Sequence, residues 1–268
     1  MHNDETKEFL DSLPELEEGK TYCFQCYPGI ECFNACCSDL DMILTPYDML
    51  RMRQALDMNS IDFLRVYTTG HRAPDTNFPV FKFKMTDNAA RTCAFVTEEG
   101  CRIYADRPGA CRMYPLGRAT RPDGKGGVQE QFFIVKEDHC KGFLEKKEWT
   151  GESWKEDQGF KEYTAFNDRY MTILSRTRQL GHPVSDKLSH MATLALYKID
   201  EFQGFIEKMH LFDRVEVDEK RQKAILENEA VALSFAMDWF ELVLFQDTTR
   251  LKPKNVPLRR KGTRPGEE

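Results

Sequence analysis

Nine cysteines crowd into the first 140 residues of this 268-residue chain, and none follows. The first five, in CFQCYPGIECFNACC, are Cys23, Cys26, Cys32, Cys36 and Cys37, spaced C-x2-C-x5-C-x3-C-C. Cys93, Cys101 and Cys111 follow with the spacing C-x7-C-x9-C, and Cys140 comes after a further 28 intervening residues. A single cysteine is most simply a small buried hydrophobe, but five within fifteen residues exceed any packing need. The acidic start MHNDETKEFL has neither a basic n-region nor an apolar h-region, so no signal peptide is read. With an odd cysteine count and no export signal, a disulfide framework is disfavoured. Thiolate ligation of a metal is the better account.

The spacing also bears on which metal. Structural zinc usually takes two short C-x2-4-C knuckles, each bringing two sulfurs to about 3.8 Å or less around one tetrahedral ion. Cys23-Phe24-Gln25-Cys26 could form one knuckle, but the later cysteines offer no partner for it. Gaps of seven and nine residues deliver ligands from separate loops, an arrangement an iron–sulfur cube accommodates. Cys36 and Cys37 point to opposite sides if extended, so they can serve different sites. Spacing therefore favours iron–sulfur, most simply a [4Fe–4S] cluster, with zinc as the alternative. The expected metal ligands are Cys26, Cys32, Cys36, Cys37, Cys93, Cys101, Cys111 and Cys140, with Cys23 spare. Between Arg91 and Arg118 stand five arginines and three acids. Arg102 and Arg112 directly follow candidate ligands, and cations there favour the deprotonated thiol. His139 reads as a surface histidine, while Tyr104 and Tyr114 are expected to pack beside the site.

Composition divides the chain into an acidic leader (1–22), a cysteine-rich region (23–145), a cysteine-free helical region (150–247) and a basic tail (248–268). The leader could hold one short helix before Pro14. Thr45-Pro46-Tyr47-Asp48 is a helix start with a capping residue and proline in the first turn. A second short helix is predicted from Ser60. Phe78–Met85 alternates as a strand, Thr92–Val96 and Arg102–Tyr104 flank a hairpin turn at Glu98-Glu99-Gly100, and Gln131–Lys136 reads as a further strand. Together these four suggest one small antiparallel sheet. Further on, Phe160, Tyr163, Phe166, Tyr170 and Ile173 mark a long amphipathic helix ending near Gly181. Leu188–Leu196 and Phe202–Met209 mark two more, and Asp218–Phe245 reads as a fourth. The fold class is α+β: an irregular cysteine-rich metal-binding half with short helices and a small antiparallel sheet, then a mostly helical half.

The motifs F-x-C, C-x3-C-C, T-x-x-D, C-x-F, C-x-I-Y-x-x-R-P and C-R-x-Y-P fall on Phe24, Cys26, Cys32, Cys36, Cys37, Thr45, Asp48, Cys93, Phe95, Cys101, Ile103, Tyr104, Arg107, Pro108, Cys111, Arg112, Tyr114 and Pro115. This pattern resembles the YkgJ-type cysteine-cluster family, the zinc- or iron-chelating domain called CxxCxxCC, over roughly residues 24–140. The first block departs from the common F-x-C-x-x-C-G-x-C-C form: its Cys26–Cys32 gap is longer, and no glycine precedes the cysteine pair. The resemblance implies a metal or cluster site. One branch of the family is similar to flagellin lysine N-methylases, which use S-adenosylmethionine. This chain has neither a Gly-rich loop after a strand nor the CxxxCxxC triplet of radical S-adenosylmethionine enzymes.

The longest apolar stretch, Ala230–Phe245, is interrupted by Ser234, Asp238, Trp239 and Glu241 and falls short of the ~20 residues a membrane span needs. A net charge of −6 gives no footprint for nucleic acid; only the tail, with seven Lys or Arg between Arg250 and Arg264, could contact an acidic partner. The expectation is a cytoplasmic iron–sulfur protein acting in electron transfer or redox sensing with a redox or regulatory protein partner. The alternatives are a zinc-stabilised interaction module and an S-adenosylmethionine-dependent protein lysine N-methylase.

Overall fold

The structure is a computed structural model that describes residues 14–122 and 128–254. The helix expected before Pro14 and the tail beyond Lys254 lie outside these residues. Contacts divide the chain into two compact units, the division falling after Thr193.

In the first unit, Thr45 and Asp48 form a complete capping box: the Thr45 hydroxyl accepts the Asp48 amide, and the Asp48 carboxylate accepts the Thr45 amide at 2.9 Å. Helix α1 (Pro46–Ala55) buries Tyr47, Met49, Leu50 and Met52. Helix α2 (Ser60–Tyr67) is capped by Asn59. Five residues, Gly109–Met113, make the short α3, and Gly151–Asp157 make α4. The long amphipathic helix expected after Phe160 is α5 (Lys161–Gln179). Its aromatic stripe packs on α1, where Tyr47 stacks on Phe166 with ring centroids 4.3 Å apart and meets Tyr163 edge-on at 5.0 Å. Helices α4, α5 and α6 (Asp186–Ala192), which composition groups with the helical region, therefore belong to the same compact unit as the cysteines.

The strands do not join into the single sheet the sequence suggested. Among the described residues they form four small antiparallel sheets: β1 (Glu15–Leu16), β8 (Val128–Ile134) and β7 (Leu116–Pro122) in the order β1-β8-β7; β2 (Tyr22–Cys23) with β9 (Glu148–Trp149); β3 (Thr68–Arg72) with β4 (Pro79–Phe83); and β5 (Val96–Thr97) with β6 (Gly100–Cys101). The hairpin at Glu98-Glu99 is present with two-residue strands. Pairing is between chain neighbours for β3–β4, β5–β6 and β7–β8 and between distant segments for β1–β8 and β2–β9, a choice that period-two alternation leaves open.

Arg118 on β7 anchors the three-stranded sheet to α5. Its guanidinium donates to Asp168 at 2.6 Å and to Glu130 at 2.5 Å, and Lys155 of α4 donates to Glu130 at 2.7 Å. Burial opposes the charge on Glu130, but Lys155 and Arg118 together hold its carboxyl below the usual range. A depressed carboxyl stabilises the fold above its unfolded pKa and loses that contribution as pH falls through the folded value. The stability difference between wild type and Glu130→Gln, measured by denaturant unfolding, should be constant near neutrality and shrink as pH drops below about 4.5. A difference independent of pH would contradict this assignment.

The second unit holds α7 (Ile199–Lys208), α8 (Glu219–Glu227) and α9 (Glu229–Phe245) around Phe202, Ile206, Ile225, Leu233, Phe235 and Phe240. The single helix expected over Asp218–Phe245 is thus two. Asn228 is extended, and its side chain accepts the amides of Ala230 and Val231, starting a new helix. Arg221 on α8 pairs with Asp238, which with Glu241 is one of two buried carboxylates of α9, so that charge is compensated within the apolar helix.

Candidate metal centre

Backbone contacts set the cysteines near one another around two places, with Cys36 close to both. One group gathers where the first cysteine segment meets residues 140–149. Strand β2 pairs with β9, the Phe24 amide donates to the Lys147 carbonyl at 2.9 Å, and the Gln25 amide donates to the Gly142 carbonyl at 3.1 Å. The Lys141 amide donates to the Cys32 sulfur at 3.1 Å. These contacts bring Cys26 and Cys32 beside Cys140. A methyl on Gly142 would stand 2.6 Å from the Phe24 ring and 3.0 Å from the Gln25 carbonyl, so the close approach needs glycine. Burial, and then the neighbouring Cys36, Cys32 and Cys140 thiols, push Cys26 up to about 11. Tyr114 sets its phenol against Cys140, with Cys36 close by.

The other group contains Cys37, Cys93, Cys101 and Cys111. The Cys93 amide donates to the Cys37 carbonyl at 2.8 Å, and Ser38 bridges Thr92. From Cys93 the β5–β6 hairpin returns Cys101 to the same place, pairing it with Val96; Gly100 turns with φ of 119°, a conformation suited to glycine. Cys111 rides on α3 with its sulfur 3.9 Å from that of Met42. Although Cys111 opens to solvent on one side, surrounding protein desolvates its thiol, and Cys93, Asp48, Cys101 and Cys36 add to this; its pKa rises to about 12. Burial likewise raises Cys93 and Cys101, with Arg102 acting against it at both and Arg107 at Cys101.

Cys36 and Cys37 share the 3-10 turn Ala35–Cys37. Asn34 before it is left-handed (φ 68°), and its side chain donates to the Thr97 carbonyl at 2.8 Å, fastening the turn to the β5–β6 hairpin. The Cys37 thiol donates to Cys36, which holds Cys36 down at about 7 and raises Cys37.

Asp48 explains why T-x-x-D accompanies the cysteines. Its carboxylate closes the α1 capping box and also accepts the Gly109 amide at 2.7 Å, fixing the start of α3 and hence Cys111. Burial raises this carboxyl, against the hydrogen bonds from Gly109 and Thr45 and the charge of Arg112.

Among the arginines the sequence reading is half right. Arg102 lies beside Cys93 and Cys101. Arg112 instead donates to the Ala105 and Gln158 carbonyls and lies 4.5 Å over the Tyr163 ring, so it ties α3 to the α4–α5 junction. Sequence reasoning matched Arg107 in the R-P motif without setting it beside particular cysteines; it is the buried neighbour of Cys101 and Cys111. Sequence reasoning missed Asn34 and Gly142, which carry no spacing signal at all. Tyr104 is 60% exposed and stacks against Arg107 rather than packing beneath the site. His139 is exposed, as is Cys23, which pairs with Glu148 on β2–β9.

All nine cysteines are free thiols. Several are raised both by burial and by one another, and a bound cation offsets that repulsion, so the donor set fits a thiophilic metal. Among the described residues, no three His, Cys, Asp or Glu side chains form an ion-holding group. Residues 25–141 match the family model CxxCxxCC, described as "putative zinc- or iron-chelating domain". No curated protein and no solved structure matches the chain.

Proposed function

We propose that the CxxCxxCC domain to which residues 25–141 belong holds iron as an iron–sulfur cluster, on thiolates drawn from Cys26, Cys32, Cys36, Cys37, Cys93, Cys101, Cys111 and Cys140, and works in electron transfer or redox sensing with a protein partner. The observation that carries this reading is the delivery of the sulfurs. Apart from the adjacent Cys36 and Cys37 of one 3-10 turn, they come from separate places, among them a hairpin, a five-residue helix and the segment at Cys140, and not from two paired knuckles of the structural-zinc kind. Such a cluster, when bound, supplies one-electron chemistry whose potential depends on nearby charge and solvent exposure.

The chain's own residues supply the surroundings. Arg102 and Arg107 offset negative charge beside Cys101. Tyr114 covers Cys140, and Asp48 fixes the helix that bears Cys111. Free thiols suit a reducing compartment, and we place the protein in the cytoplasm.

Purification without oxygen, followed by metal and acid-labile sulfide analysis, tests the reading. A brown protein with iron and sulfide in equal amounts, visible absorbance bleached by dithionite and restored on reoxidation, is expected. Stoichiometric zinc without sulfide, persisting after reconstitution with iron and sulfide, would overturn it and leave a zinc-stabilised interaction module.

A further inference from the structure

We propose that the eight cysteines form two separate four-thiolate sites that meet at the Cys36–Cys37 peptide: Cys26, Cys32, Cys36 and Cys140 in one, Cys37, Cys93, Cys101 and Cys111 in the other. This rests on the metal-binding reading above and divides its ligands.

The division follows the backbone. The first site is assembled by contacts between residues 24–32 and 140–147: Phe24 to Lys147, Gln25 to Gly142, and Lys141 to the Cys32 sulfur. The second is assembled by Cys93 on the Cys37 carbonyl, by the hairpin that returns Cys101, and by the Asp48–Gly109 bond that places Cys111. The junction is the 3-10 turn. With three residues per turn, consecutive side chains leave its axis about 120° apart. Cys36 and Cys37 thus leave the turn on different bearings from α-carbons only about 3.8 Å apart, with their thiols still close enough to interact where the two sites abut. The electrostatic neighbours agree: Cys26 has Cys36, Cys32 and Cys140 around it, and Cys37, beyond the adjoining Cys36, has Cys93 and Cys111. Cys36 also lies near Cys111, as it must if the two sites abut.

Reconstituting the full chain with iron and sulfide, and in parallel with zinc alone, tests this by counting metal per chain. Wild type should take two equal loads. Cys26→Ser/Cys32→Ser and Cys93→Ser/Cys101→Ser should each retain one, and with iron each should show a different paramagnetic resonance spectrum. Should either double variant precipitate, the single variants Cys32→Ser and Cys101→Ser serve instead. Loss of all metal in either variant means one shared site, and a wild type with one load that one variant leaves intact means one site with bystander thiols. Both results overturn the division. Because the zinc arm gives the same count, two zinc ions halved by each variant would uphold the division while the iron–sulfur reading fell.

Discussion

Replacing Phe24 with alanine should lower the unfolding free energy of the first unit by about 3–5 kcal/mol, the usual cost of deleting a buried phenyl ring. Phe24 is 2% exposed and meets Tyr114, Phe143 and Trp154 edge-on, with ring centroids 6.0, 5.2 and 5.6 Å away. Its carbonyl also accepts the Trp149 indole at 2.8 Å. It is therefore the packing post between the two chain segments that present Cys26, Cys32 and Cys140. At about 2–4 °C per kcal/mol for a unit of this size, the melting midpoint should fall on the order of 10 °C. The variant should lose metal from the first group of cysteines before the second. A shift of under 2 °C would mean that the ring does not hold these segments together.

Asp48→Ala should act on the other group. The change removes a capping box worth about 1 kcal/mol and leaves the Gly109 amide without its acceptor, a further cost of about 1–3 kcal/mol. The expected sum is roughly 2–4 kcal/mol by denaturant unfolding, together with weakened metal retention at Cys37, Cys93, Cys101 and Cys111. Asp48→Asn keeps one carbonyl oxygen but presents an amide where the Thr45 amide needs an acceptor, so it should fall between wild type and alanine. Wild-type stability in Asp48→Ala would show that α3 stands without this tether.

The two variants mark what could and could not be read from the sequence. The cap at Thr45 and the aromatic stripe of α5 were legible because capping and helical period are local properties. The partner of that stripe was not: Tyr163 and Phe166 meet Tyr47, more than a hundred residues earlier, and no period encodes that pairing. For the same reason the strands were found but not their sheets. The break at Asn228 did leave a signal, a capping residue before Glu229, but it was hidden within a continuous helical pattern. The eight candidate ligands are legible by type and spacing, and the adjacency of Cys36 and Cys37 leaves room for them to serve different sites. Their grouping depends on backbone contacts between distant loops, Gln25 with Gly142 and Cys37 with Cys93. Arg112 illustrates the limit of adjacency: it follows a cysteine in sequence, yet its guanidinium is spent on two carbonyls and a tyrosine ring.

The most direct measurement is the number and identity of thiols protected by the metal. Metal-loaded, natively folded protein is treated with iodoacetamide under anaerobic conditions, and each cysteine is followed by peptide mass spectrometry, before and after the metal is removed by chelation. Rapid alkylation of Cys23 alone is expected in the loaded protein, with Cys26, Cys32, Cys36, Cys37, Cys93, Cys101, Cys111 and Cys140 protected until the metal is withdrawn. Alkylation of several of those eight at the rate of Cys23, while the metal stays bound, would contradict this expectation.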